Sequence, residues 1–171
     1  MLPLFEWLDA NLPGTYVLRD SIYGFTILLT SHVVAMCLFL GLIIMMDLRL
    51  AGLGNLHTSI SQMQKRLFPW QMVGFTFTSL TGFLLFYSDP MRYYPKAYFW
   101  AKLLVMGFAG LNALAFHFTT YRSVNAWNSS PRPPFGARMA GVVSLILWAL
   151  VLIFGRLVAY EWWTYDEWLF Q

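Results

Sequence analysis

His32 stands in the run Thr30-Ser31-His32-Val33-Val34-Ala35-Met36, inside a stretch from Ile22 to Met46 that carries no charged side chain. An imidazole is costly to bury in lipid without a partner, so an ionisable group at that depth is a functional candidate by default. Two readings are open: His32 ligates a metal or redox cofactor, or it hydrogen-bonds a neighbouring helix. Ala35 leaves room one turn on, and Phe25, Leu28, Met36 and Phe39 share the His32 face by helical spacing, which suits a flat apolar cofactor. A second histidine, His117, closes a later apolar run, and histidines on two helices are the pattern of a bis-histidine haem. The levels do not match. At about 1.5 Å per helical residue, His32 lies roughly 22 Å beyond Asp47 and His117 only roughly 8 Å beyond Arg122. His117 is therefore expected either at a second metal site or in an interfacial hydrogen bond. The same ruler puts Lys102 roughly 30 Å from Arg122 and Arg156 roughly 27 Å from Arg138, in the half of the molecule that holds His32. An imidazole ligand with two cations nearer the surface is what a haem b with outward-facing propionates requires. The competing reading of both cations is snorkelling to lipid phosphates.

The elements that must position these groups follow from composition. With 171 residues, 58% hydrophobic and only 11% charged, the chain is too apolar for an ordinary soluble domain. Four blocks reach the roughly 20 residues that a helix needs to cross a bilayer, at about 22–46, 68–87, 97–118 and 139–160. The expected fold is an all-α integral membrane four-helix bundle forming one domain, with short amphipathic segments at Leu2–Leu12 and Tyr160–Gln171. Asp47 to Arg66, the stretch from Ser88-Asp89-Pro90, and Asn128-Ser129-Ser130-Pro131-Arg132-Pro133-Pro134 read as connections. Arg49, Lys65, Arg66, Arg122, Arg132 and Arg138 against the single acid Asp47 mark one side as cytoplasmic, so both termini are expected outside. The outer side is rich in aromatic rings, among them Tyr93, Tyr94, Tyr98, Trp100 and Tyr160, as an interfacial belt or a docking surface would be.

Small and polar residues mark the faces where membrane helices meet. They recur as Gln71, Gly74, Thr78 and Gly82, as Gly107, Gly110 and Ala113, and as Gly141, Ser144, Trp148 and Gly155. Asn112 reads as an interhelical hydrogen bond, His57 as a solvated loop residue, and Asp47 with Arg49 as a pair or as contacts to the basic loops. Cys37 is the only cysteine, which excludes an intrachain disulfide, a CxxCH haem attachment and a cysteine metal cluster. No phosphate loop, nucleophile triad or metalloprotease motif is present. The scattered basic residues give no nucleic-acid signature, and Met36 and Cys37 beside His32 are a thin basis for copper.

His32 followed by an apolar run to Gly41, Gln64-Lys65-Arg66-Leu67 entering the second span, and Trp100-Ala101-Lys102-Leu103-Leu104 with His117 beyond it resemble the haem-b-binding, four-helix protoporphyrinogen oxidases of bacteria. Copper-resistance D-type membrane domains are similar in layout. Asp47-Leu48-Arg49-Leu50, Phe68-Pro69-Trp70, Leu111 to His117 and Gly155-Arg156 most resemble an uncharacterised bacterial four-helix integral membrane family, a likeness that covers almost the whole chain. The oxidase resemblance implies a haem role for His32 and a functional role for Lys102. The fourth span departs from it, with Arg138-Met139-Ala140-Gly141 where those oxidases carry an Asn-Glu-x-Pro-like element. Three functions are carried forward, all in the bacterial inner (plasma) membrane. The first is electron transfer through haem b between a membrane donor such as quinone and an outer-face redox partner. The second is a porphyrinogen-oxidase-like haem enzyme, and the third a cofactor-free accessory or anchor subunit of a larger membrane complex.

Overall fold

The computed structural model describes Ser21 and residues 23–160. Both amphipathic terminal segments, apart from Tyr160, lie outside the described residues. The long elements are all helices: α1 (Gly24–Ala51), α2 (Ile60–Ser88), α3 (Ala97–Phe118) and α4 (Phe135–Leu157). A short helix, Pro90–Tyr93, joins α2 to α3, and a 3-10 turn with a further short helix, Val124–Trp127, follows α3. No strand occurs among the described residues. The α1 and α4 helices and the helical stretch that begins with α3 are long and apolar enough to cross a membrane. The second expected span falls short by that measure, because residues 68–87 themselves hold Pro69, Gln71, Thr76, Thr78, Ser79 and Thr81.

Helix boundaries differ from the apolar runs for local reasons. Past Met46, α1 continues to Gly52, which takes the left-handed conformation (φ 77°) and donates its N–H back to Arg49 and Leu48. The α2 helix starts eight residues before Phe68. Ser59 accepts a hydrogen bond from the Gln62 N–H, and the stripe Ile60, Met63 and Leu67 packs into a core with Met46, Leu50, Val124 and Ala137. The N-cap of α4 is Pro134, upstream of Met139, since proline is tolerated where no intrahelical N–H is required. At this end Arg49 is fully buried and donates to the carbonyls of Thr58 (2.9 Å) and Ser130 (3.1 Å), tying the two connections together. Asn128 adds a second tie, accepting from the backbone N–H groups of Ile60 and Ser61. Arg49 thus contacts the loops and does not pair with Asp47, whose carboxylate lies near Ser144 on α4 with Oδ2 buried and without a hydrogen-bond partner.

The helices pack in the order α2, α1, α4, α3, with each neighbour pair in extensive contact and α2 meeting α3 only weakly. Packing is therefore sequential and not fully mutual. Glycine allows the closest approaches: a Cβ on Gly141 would stand 2.7 Å from the Asp47 carbonyl oxygen, and one on Gly74 would stand 3.1 Å from Phe39 Cβ. Buried amides cross the other contacts, Gln71 donating to the Leu42 carbonyl and Asn112 to that of Ala140. The glycine strip on α3 behaves differently. Gly107 and Gly110 have nothing within 4 Å of an added Cβ, because α3 packs on α4 through Val105, Ala109 and Asn112 instead.

Candidate functional site

At the end opposite the Arg49 loops, all four long helices and the short Pro90–Tyr93 helix border a cavity of about 440 Å³. Its walls are mostly apolar, and its polar groups are His32 from α1, Lys102 from α3, Arg156 from α4 and Tyr93 from the connecting helix. Helical rise expected His32, Lys102 and Arg156 in the same half of the molecule, with the two cations nearer its surface, and these three side chains share this cavity. The volume lies within the roughly 300–1,000 Å³ usual for small-molecule sites.

Each polar group is held by an identifiable local feature. His32 Nδ1 lies 2.9 Å from the Thr81 hydroxyl oxygen on α2, and Thr81 in turn donates to the Phe77 carbonyl at 2.8 Å. The ring fits against α2 because residue 82 is glycine: an added Cβ would stand 3.0 Å from His32 Cε1. Lys102 passes Gly155 at ordinary contact distance, 3.7–3.8 Å from the Cβ position. Among the described residues nothing satisfies the Lys102 ammonium with a hydrogen bond or ion pair. Arg156 is exposed at the rim, where its guanidinium lies 4.7 Å from the Tyr160 ring centre and donates to the Tyr160 hydroxyl. A roof of rings closes the α2–α3 side: Phe86 and Phe99 stack at 5.6 Å, with Tyr93 against both. Burial pushes the Tyr93 phenol above its ordinary range, with Arg92 pulling it down and Asp89 pushing it up. Lys96 donates to the Val158 carbonyl at 2.6 Å and so fixes the end of α4 beside the rim.

His117 is elsewhere. It is exposed near the end of α3 and stacks on Tyr121, with ring centres 5.5 Å apart and planes 17° from parallel. It lines no part of the cavity, and among the described residues no cluster of three or more metal-ligating His, Cys, Asp or Glu side chains occurs. Of the residues expected to share the His32 face, Met36 lines the cavity together with Leu29 and Val33. Phe39 instead packs on Gly74 and edge-on against Trp148, and Phe25 lies under the Arg92 guanidinium. Sequence reasoning missed Tyr93, Phe86 and Phe99 as cavity residues. Their aromatic character and closeness to the second connection were the only available signal, and it reads equally as an interfacial belt.

The lining fits an amphipathic, anionic group. One imidazole borders an otherwise apolar wall, and two cations stand on α3 and α4, the half-buried Lys102 among them without a hydrogen bond or ion pair among the described residues. An unpaired cation in such surroundings is costly until an anion joins it. Compared with known families, with curated proteins and with solved structures, the chain matches none. The cavity itself is thus the basis for a functional reading.

Proposed function

We propose that the protein is a four-helix haem-b protein of the bacterial inner membrane that passes electrons between a membrane donor, a quinone, and a redox partner at the outer face. The observation that carries this reading is the convergence of His32, Lys102 and Arg156 on one apolar-walled cavity. His32 would supply a nitrogen ligand to the iron, and Lys102 and Arg156 would neutralise the propionates through charge-assisted hydrogen bonds. Bound there, haem b supplies reversible one-electron chemistry, while the chain supplies orientation and a dry wall. The resemblance to haem-b-binding oxidases in the first and third spans supports the same placement. Large apolar side chains exposed on every long helix support a lipid surround for α2 as well, including Val73 and Phe83, each 60% exposed. The excess of Arg and Lys at the Arg49 end supports an orientation with that end in the cytoplasm and the cavity toward the periplasm.

A porphyrinogen-oxidase-like enzyme is a second reading, favoured by one observation. Among the described residues His32 is the only histidine on the cavity wall, which suits a haem with one coordination position open to substrate or oxidant. Titration of the purified chain with haem b in detergent tests both readings. Saturation at one haem per chain is expected, with Lys102→Met weakening binding about tenfold or more, a loss of roughly 1.4 kcal/mol. Failure of the wild-type chain to bind would remove both haem readings and leave the anchor-subunit alternative.

A further inference from the structure

The cavity reading rests on His32, yet a histidine can present either a lone pair or an N–H to a ligand. Its partner on α2 decides which. The Thr81 hydroxyl has one proton, and two backbone carbonyls compete for it, Phe77 at 2.8 Å and Thr78 at 3.2 Å. Thr81 is buried, only 5% exposed, so water does not offer its oxygen another donor. With its proton committed to a carbonyl, the hydroxyl oxygen faces His32 Nδ1 as an acceptor at 2.9 Å. The Thr78 carbonyl also lies beside the ring and can only accept. Both α2 oxygens that meet the imidazole, the Thr81 hydroxyl with its proton committed and the Thr78 carbonyl, therefore call for an N–H.

We infer that Thr81 is a positioning residue: through the Phe77 carbonyl–Thr81–His32 chain of hydrogen bonds it sets the Nδ1–H tautomer and the ring plane of His32. The Nε2 lone pair is thereby left for a ligand in the cavity. Gly82 makes the same arrangement sterically possible, since a Cβ there would press on Cε1 at 3.0 Å. The ligand class is then an electron-pair acceptor, such as a metal centre or an acidic N–H or O–H group. This inference deepens the haem proposal and relies on it only for the identity of that ligand. Outer-sphere partners of this type commonly change metal affinity about 10–100-fold.

The tautomer is readable without haem. Nitrogen-15 spectra of histidine-labelled full-length protein in detergent, above the imidazole titration range, are expected to show a protonated Nδ1 and an unprotonated Nε2 for the signal that disappears in His32→Ala. Thr81→Ser should keep that pattern and Thr81→Val should lose the preference. A wild-type His32 carrying its proton on Nε2, or a tautomer unmoved in folded Thr81→Val, would overturn the inference. Because the wild-type spectrum alone decides the tautomer, the test survives a Thr81→Val chain that does not fold. A haem titration of the same samples separates the two proposals. Affinity about 10–100-fold lower in Thr81→Val and restored in Thr81→Ser supports both, whereas the expected tautomer in a chain that takes up no haem sinks the haem reading and leaves the Thr81 assignment intact.

Discussion

Replacing Gly141 by alanine adds a single methyl group at the tightest point between α1 and α4. That methyl would stand 2.7 Å from the Asp47 carbonyl oxygen, 3.0 Å from Leu50 Cβ and 3.1 Å from the Ala51 N–H nitrogen. Two of these three neighbours are backbone atoms in a helix and cannot rotate away, so the helices must separate. Overpacking of this kind costs about 1–3 kcal/mol, and the rigid backbone neighbours argue for the upper end. Removing a helix glycine returns up to ~1 kcal/mol. The net expectation is a loss of about 2 kcal/mol, and at the ~2–4 °C per kcal/mol usual for chains of this length the melting temperature should fall by about 4–8 °C. Gly107→Ala and Gly110→Ala are the controls, because an added Cβ meets nothing within 4 Å at either position. They should keep or raise stability by up to ~1 kcal/mol. Thermal unfolding in one detergent, followed by circular dichroism, measures all three. Equal effects at Gly141 and Gly107 would refute the packing order that joins α1 to α4.

Arg49→Met should loosen both connections at once, since the guanidinium holds the Thr58 and Ser130 carbonyls. Charged hydrogen bonds contribute about 1.5–3 kcal/mol each, so faster amide exchange is expected in residues 52–59 and 128–134 together, and a change in one loop alone would contradict the tie. The Tyr93 phenol is pushed up by burial, so the folded chain keeps this proton more tightly than the unfolded chain does. Stability should therefore fall as pH rises from the ordinary phenol pKa of about 10 toward the folded value, and Tyr93→Phe should remove that part of the loss. Melting curves at about pH 8 and about pH 11 compare the two chains; equal alkaline losses would contradict burial of this ring. Asn112→Leu removes the hydrogen bond to the Ala140 carbonyl between α3 and α4. A cost of about 0.6–2 kcal/mol is expected in the same unfolding assay, and a neutral result would contradict the contact.

Apolar block length and polar stripes made much of the helical architecture legible in the sequence. The stripes on α2 and α4 were readable because Gly74 and Gly141 meet neighbouring backbone. The identical pattern at Gly107 and Gly110 misled, since small residues say where a close approach is possible and not whether a helix comes to fill it. Helix ends were blurred because hydropathy marks lipid depth, whereas Gly52, Ser59 and Pro134 end helices by capping beyond it. That His32, Lys102 and Arg156 lie in the same half of the molecule followed from helical rise alone. Their rotation about each helix did not, and neither did the aromatic roof, which depends on how Pro90–Tyr93 folds α2 toward α3. Thr81 stayed hidden for the same reason: a threonine among several on α2 acquires meaning only once the neighbouring helix sets its register against His32.

The central claim is that His32 is the haem ligand of the cavity, and the reduced-minus-oxidised absorption spectrum of the detergent-purified full chain tests it most directly. A b-type difference spectrum is expected in the wild-type protein, abolished in His32→Ala and kept in His117→Ala, because His117 lines no part of the cavity. A colourless wild-type protein reconstituted with haem, or a spectrum that survives His32→Ala, would contradict the account.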